Sequence, residues 1–290
     1  MAFGGEVFVA VKPAVALVGA LAFENEGQRL APACRQWAVN EADLFAMEHA
    51  LRLRESGRVE RITCITAAPR ELRDFLSLFL GMGADRAMRI VVAEDAGLDQ
   101  VATGTLLGAA IRRMGGGLVL AGQRSDDGGS GIVPAATARA MGAAYLSNAS
   151  IVELRDGQVE VERKLEAGNR QVWGASLPAV VAIESGSIQP RYVSVAGLLL
   201  AQRRPVEEIS IDADSFPGPA VTQRLAVARV RPKKTVALAG GAAADRLKMM
   251  MSGGTSGKKE KRVLKGPPEQ LAADVINLLR ERQVLTRDGR

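Results

Sequence analysis

The first two-thirds of this 290-residue chain alternate β-rich and helix-patterned segments, and that alternation narrows the possible folds more than any other feature. Glu6–Val11 is a β-rich run that ends at Lys12-Pro13. Glu41–Glu55 reads as a helix, with Asn40 at the N-cap, Asp43 three residues on in the manner of a capping box, and Gly57 closing it. Val59–Thr66 predicts a second strand. Pro69 opens a helix carrying Leu72, Phe75, Leu76, Phe79 and Leu80, apolar enough to be largely buried. The strand Arg89–Val92, the helix Gln100–Met114, the strand Gly116–Ala121 and the helix Ile132–Met141 continue the series, the last with Pro134 in its first turn. Residues 14–39 show no clear period and read as a long excursion. The pattern predicts a three-layer α/β fold, a mostly parallel Rossmann-like sheet with helices on both faces. Ligands in such sheets sit beyond the carboxyl ends of the strands.

After Ala143 the pattern changes to strands alone: Ala149–Leu154, Gln158–Lys164, Gln171–Ala175 and Ala179–Ile183, with Asp156-Gly157 as a hairpin turn. From about Gly197 globular character fades. Gly240–Ala244 and Ser252–Gly257 read as linkers around Met249–Met251, and the basic run Lys258–Arg262 reads as a solvated tether. Pro267-Pro268 then opens an amphipathic helix with Leu271, Val275, Leu278 and Leu279 on one face, which needs a surface to dock on. The expected organisation is an α/β domain over residues 1–195, a connector over 196–239, and a tether with docking helix over 240–290.

Composition removes several function classes. No apolar run approaches the ~18 residues of a membrane span. Met1–Glu6 lacks a basic head and an apolar signal core, and two cysteines form no disulfide framework, so a cytoplasmic protein is expected. The net charge of +6 is uneven: residues 203–290 carry 18 Lys/Arg against 10 Asp/Glu, and residues 1–202 carry 20 against 22. The near-neutral body is no natural partner for nucleic acid. A single histidine, His49, excludes His-cluster metal sites, and its place in a helix beside Glu48 and Arg52 predicts a partly exposed residue. Cys34 and Cys64 read as inert, and Trp37 and Trp173 are too isolated for a stacking platform.

The loop Gly122-Gln123-Arg124-Ser125-Asp126-Asp127-Gly128-Gly129-Ser130-Gly131 lies between a strand and a helix. Its glycines let backbone amides approach a ligand, and the helix start offers partial positive charge to a phosphate. It lacks the Gly-Lys-Ser/Thr of an ATPase P-loop. Asp126 and Asp127 would repel a phosphate beside them, though they suit holding the loop or a ribose hydroxyl. A nucleotide cradle and an ordinary glycine-rich βα turn both fit. No acid–base pair, nucleophile elbow or metal cage stands out in the sequence.

Several segments, taken in order, resemble the beta (small) subunit of electron transfer flavoproteins: Val9-Ala-Val-Lys12, Asn40-Glu-Ala-Asp43 with the helix after it, Leu80-Gly-Met-Gly-Ala-Asp-Arg86, Leu118-Val-Leu-Ala-Gly122, Glu162-Arg-Lys-Leu-Glu-Ala-Gly168, Leu177-Pro-Ala-Val-Val181 and Pro190-Arg-Tyr192. The resemblance covers about residues 6–210. It implies an adenine-nucleotide-binding sheet in an electron carrier rather than an enzyme, holding a structural AMP and sharing an FAD with an alpha subunit. The implied partners are that subunit, a flavin-dependent dehydrogenase as donor and a membrane or soluble quinone-linked oxidoreductase as acceptor. Electron-bifurcating relatives put a second FAD in the same pocket, and a non-redox nucleotide-binding module is the other alternative. The pocket implied here takes Ala10, the corner Asn40, Glu41, Ala42 and Asp43, then Ala67, and the loop from Gly122 through Gly131 to Ile132 and Val133. Ile132 and Pro134 depart from the family's Gln and Gly, Glu41-Ala42 replaces its proline and aromatic residue, and Leu17 stands where many relatives place a tyrosine near the flavin. These departures mark a divergent paralogue. The resemblance also implies a dehydrogenase-docking segment after Pro190-Arg-Tyr192, with Val195 as anchor, Leu198 and Leu199 beside it, and Arg203 and Arg204 as a basic patch.

Overall fold

Glu6–Ala10 forms the first strand, β1, because its apolar side chains have two faces to bury. Val7, Val9 and the following Val11 enter one core, while Phe8 and Ala10 enter another on the opposite face. A run buried on both sides reads as continuous hydrophobicity, the mark of a parallel strand under helices. The computed structural model describes residues 5–24, 29–72, 74–92, 99–209 and 266–281.

Two short ribbons follow β1. β2 (Pro13–Leu17) pairs antiparallel with β5 (Arg35–Val39), and β3 (Phe23–Glu24) pairs with β4 (Arg29–Leu30). The segment without period is therefore a pair of β-ribbons. Their partners lie up to about 26 residues apart, from Pro13 to Val39, so no local alternation advertises them. Then come α1 (Glu41–Glu55), β6 (Arg61–Ala68), α2 (Asp74–Met82), β7 (Arg86–Val91), α3 (Gln100–Arg113), β8 (Leu118–Gly122) and α4 (Val133–Met141). The strands β9 (Ala144–Arg155), β10 (Gln158–Lys164), β11 (Arg170–Ser176) and β12 (Ala179–Ile183), the helix α5 (Val195–Ala201) and the strand β13 (Glu207–Ile209) complete the sheet region.

Among the described residues the main sheet runs β11-β10-β9-β12-β8-β1-β6-β7-β13. Every neighbouring pair from β9 to β13 is parallel, and β10 and β11 add an antiparallel end. Helices α1 and α2 supply one core, with Phe45, Met47, Leu51, Leu76 and Phe79, and α3 and α4 supply the other, with Leu106, Leu107, Ile111 and Met141. The expected fold class holds.

Three boundaries differ from expectation by five residues or more. The helix placed at Pro69 starts at Asp74, and ahead of it the buried Arg89 guanidinium takes the carbonyls of Arg70 and Leu72, at 2.8 and 3.3 Å. β9 begins at Ala144, five residues earlier than expected. The segment 196–209, expected to belong to a connector, contributes most of α5 and the edge strand β13 to the sheet region: β13 pairs with β7, and Ala201 is 2% exposed.

The chain divides into units 1–228 and 229–290. In the second, α6 (Pro268–Glu281) carries Leu271, Val275, Leu278 and Leu279 at the expected helical spacing. The linkers and the basic run Lys258–Arg262 lie outside the described residues. No described helix is long and apolar enough to cross a membrane.

Candidate functional site

The order of strands turns at β1. The chain goes from β1 outward through β6 and β7, then returns to place β8 on the other side of β1. Such a switch point leaves a crevice beyond the carboxyl ends of the two central strands. A cleft of about 570 Å³ lies there, edged by Ala10 and Lys12 after β1, Ala67 after β6 and Gly122 at the end of β8. That size falls within the usual range of small-molecule sites.

The corner and the glycine loop are sewn together by hydrogen bonds. Asn40 occupies the N-cap position of α1 without capping it. Its Nδ2 instead donates to Asp43 Oδ1 at 2.9 Å, and its Oδ1 accepts from the Asp126 amide at 2.9 Å. The expected capping box is therefore a corner clasp. Asp43, 3% exposed, also accepts the Lys12 amide through Oδ2 at 2.8 Å. Burial pushes its carboxyl up to about 7, against the hydrogen bonds from the Lys12 amide and from Asn40.

Asp126 accepts the Glu41 amide at 2.8 Å, which satisfies a free N–H in the first turn of α1. Asp127 pairs with Lys12 Nζ at 2.5 Å and accepts the Val15 amide at 3.3 Å. Partial burial raises the Asp127 carboxyl, but the hydrogen bonds from Lys12 and the Gly128 amide outweigh it and hold the group down at about 2. Of the two roles open to this acidic pair, the structure places it in loop-holding.

Close packing sets the walls. A β-carbon on Gly122 would lie 2.6 Å from Ala42 Cβ and 2.7 Å from Asp43 Oδ1, so only glycine lets α1 start this near β8. Gly104 and Gly108 of α3 face Ala136, Thr137 and Ala140 of α4 in the same way, which draws the two helices together. At the start of α4, Gly129 and Gly131 adopt φ of 62° and 67°. The amides of Ser130 and Gly131 have no internal partner among the described residues. Two unspent donors at the positive end of a helix suit a phosphate. Pro134 sits in the first turn of α4, where its missing N–H costs nothing, and Ile132 is 44% exposed.

Sequence reasoning missed part of the lining. Lys12, Trp37, Gln100 and Thr103 also edge the cleft. The sequence signals only where α3 starts: Asp99 is an N-cap whose side chain accepts the Ala102 amide at 2.7 Å, and the docking of that first turn brings Gln100 and Thr103 to the cleft.

His49 is buried, not partly exposed as expected, at 6%. Burial, with Arg52 adding repulsion, lowers its imidazole to about 4, and Nε2 lies 3.1 Å from Ser187 Oγ. Burial likewise pushes the Cys64 thiol up, in keeping with an inert residue. Among the described residues no cluster of His, Cys, Asp or Glu is placed to hold a metal ion.

The segment after Pro190 is separate from the cleft residues. Tyr192 is 95% exposed and Val195 76%, with Leu199 and Leu200 also exposed and Leu198 half-buried. Arg203 faces solvent, whereas Arg204 does not belong to an open basic patch. Its guanidinium donates to the carbonyls of Ala84, at 2.8 Å, and Asp85. The turn between α2 and β7 exposes those carbonyls to it.

Fold and cleft together define a doubly wound α/β module of the ligand-binding kind. The pattern of an electron transfer flavoprotein domain matches residues 30–214. The beta subunit of the electron transfer flavoprotein from Syntrophomonas wolfei is 32% identical over 183 residues, covering 63% of this chain and 71% of its own. That of Methylophilus methylotrophus is 29% identical over 210 residues, covering 71% and 79%. That of Bacillus subtilis is 27% identical over 247 residues, covering 84% and 86%. The chain belongs to the electron transfer flavoprotein family, and its similarity runs to the beta subunits of that family. The role this supports is electron transfer.

Proposed function

We propose that this chain is the beta subunit of a heterodimeric electron transfer flavoprotein, with a structural AMP in the cleft at the carboxyl ends of β1 and β8. The observation that carries the reading is the pair of unspent amides, Ser130 and Gly131, at the start of α4. They face a cleft whose Lys12 is already neutralised by Asp127. A single phosphate matches that modest donor set better than a longer anionic chain would.

In this reading Asn40, Glu41, Ala42 and Asp43 close one side of the nucleotide, and Ala10 and Ala67 give it a flat floor. Residues Gln123 to Gly129 form the strap around its phosphate, tied down by Asp126 and Asp127, and Ile132 and Val133 border it. FAD, held chiefly by the alpha subunit, supplies the redox chemistry when bound. This chain's contribution is to seat that subunit and to meet the donor. The exposed Leu17, Leu21 and Phe23, on and between the ribbon strands, offer that subunit an apolar face. Tyr192, Val195, Leu198 and Leu199, with Arg203 at their edge, dock a flavin-dependent dehydrogenase. The arginine selects an acidic rim, and Arg204 holds the segment from beneath. Electrons then pass to a quinone-linked acceptor. The apolar face of α6 reaches the alpha subunit. Buried free cysteines suit the reducing cytoplasm.

The test is mass spectrometry of the denatured heterodimer. One AMP beside one FAD supports the reading, two FAD would make the chain a bifurcating subunit, and no adenine nucleotide beyond a single FAD would overturn the AMP. Ser130→Asp should eject the nucleotide by charge repulsion at the α4 start while leaving the FAD in place.

A further inference from the structure

The docking segment is exposed, yet one residue inside it is not free. Arg191, between Pro190 and Tyr192, turns back onto α1. Its Nε donates to Glu48 Oε2 at 2.9 Å, its Nη2 to Glu48 Oε1 at 3.0 Å, and its backbone N–H to Glu48 Oε2 at 3.2 Å. Its Nη1 donates to Glu55 Oε1 at 2.7 Å. The Glu48 side chain is only 5% exposed while that of Arg191 is 35% exposed, so the acid of this two-pronged pair is shielded from solvent and the pair is oriented. Two further ties follow. Gly81 of α2 leaves room for Val193 and Gly197, and Arg204 grips the carbonyls of Ala84 and Asp85. Between the ties stand Tyr192, Val195, Leu199 and Leu200, the apolar side chains held out to solvent.

We infer that Arg191 is a positioning residue for partner docking: by clamping to Glu48 and Glu55 it fixes the path of the chain so that Tyr192 and the α5 face meet a partner already in place. A short exposed apolar helix with one capping side chain, Ser194, has little of its own to hold it still. Order set in advance lowers the entropy lost on association. The inference rests on the docking role proposed above.

Hydrogen exchange on the full-length chain tests it. Arg191→Ala should speed exchange at the amides of residues 195–202 by about tenfold or more, with the β1 and β8 amides unchanged. Arg191→Lys, a point charge that cannot form the two-pronged pair, should fall between. Glu55→Gln removes only the outer contact, at a half-exposed carboxylate, and should give about a two- to threefold change. Unchanged exchange in Arg191→Ala would overturn the inference, and so would equal loosening of α5 and the central strands, which would make Arg191 a general stabiliser. Tyr192→Ala and Val195→Ala should leave exchange intact and raise the KM for a flavin-dependent donor without lowering kcat. If they leave the KM untouched while Arg191→Ala loosens the segment, the docking role fails and the positioning of the segment stands.

Discussion

Gly122→Ala is the sharpest single test of how the cleft is built. The added methyl would sit 2.6 Å from Ala42 Cβ, 2.7 Å from Asp43 Oδ1 and 3.0 Å from the Ala42 carbonyl carbon. Carbon atoms in good contact stand about 3.5–4.0 Å apart, so roughly 1 Å must be found. Two of the obstructing atoms are on Ala42 in the first turn of α1, so the helix start or the end of β8 has to move. Overpacking of this kind costs about 1–3 kcal/mol. For a domain of this size that is about 3–10 °C in Tm. The displaced corner carries Asn40 and Asp43, so nucleotide retention should fall along with stability. Gly142→Ala is the control, since Gly142 ends α4 at φ 67° with open space around it. It should cost about 1 kcal/mol through backbone strain alone and leave the nucleotide in place. Urea unfolding and the amount of adenine nucleotide released on denaturation report the two effects. A Gly122→Ala protein within about 0.5 kcal/mol of the parent, with full nucleotide content, would refute the close-approach argument.

Two pH predictions follow from the buried groups. Asp43 titrates at about 7 in the fold against 3.8 ordinarily, so the native state holds the extra proton between those values. Its contribution is complete below about 4 and is lost as pH rises through 7, and Asp43→Asn should remove that fall from the dependence of the urea midpoint on pH across the window. His49 titrates at about 4 against 6.5, so the unfolded chain takes up the proton first and stability declines as pH falls from about 6.5 toward 4. As it is the chain's single histidine, its imidazole proton resonances can be followed directly, and a midpoint near 6.5 would contradict its burial.

The sheet was legible because its central strands are mostly apolar and are separated by helix-patterned segments with glycine stops such as Gly57 and Gly142. β10 and β12 lie where the sequence places them. The ribbons β2–β5 and β3–β4 were hidden because their pairing is non-local and their faces are half-exposed. Sequence patterning could not foresee that Arg89 would take the carbonyls of Arg70 and Leu72, since a buried arginine inside a strand is paired through space. The same reason hid the burial of His49 and the inward turn of Arg204. The glycine loop was found because glycines between a strand and a helix are a local signal. The α3 side of the cleft was not, because Gln100 and Thr103 reach it only once α3 is docked.

Helix α1 is a rod of about 22 Å that serves two places at once. Its first turn is the wall of the cleft, and two carboxylates seven residues apart, Glu48 and Glu55, hold Arg191 at the head of the segment that leads into α5. Interchange of parts between relatives is constrained accordingly. A stretch spanning 190–204 grafted from another beta subunit will be seated only if the host helix offers acids at those two positions. If the proposed docking role holds, the heritable unit of partner choice is the loop together with these two acids of α1, and a change of partner that alters this helix also touches the wall of the cleft.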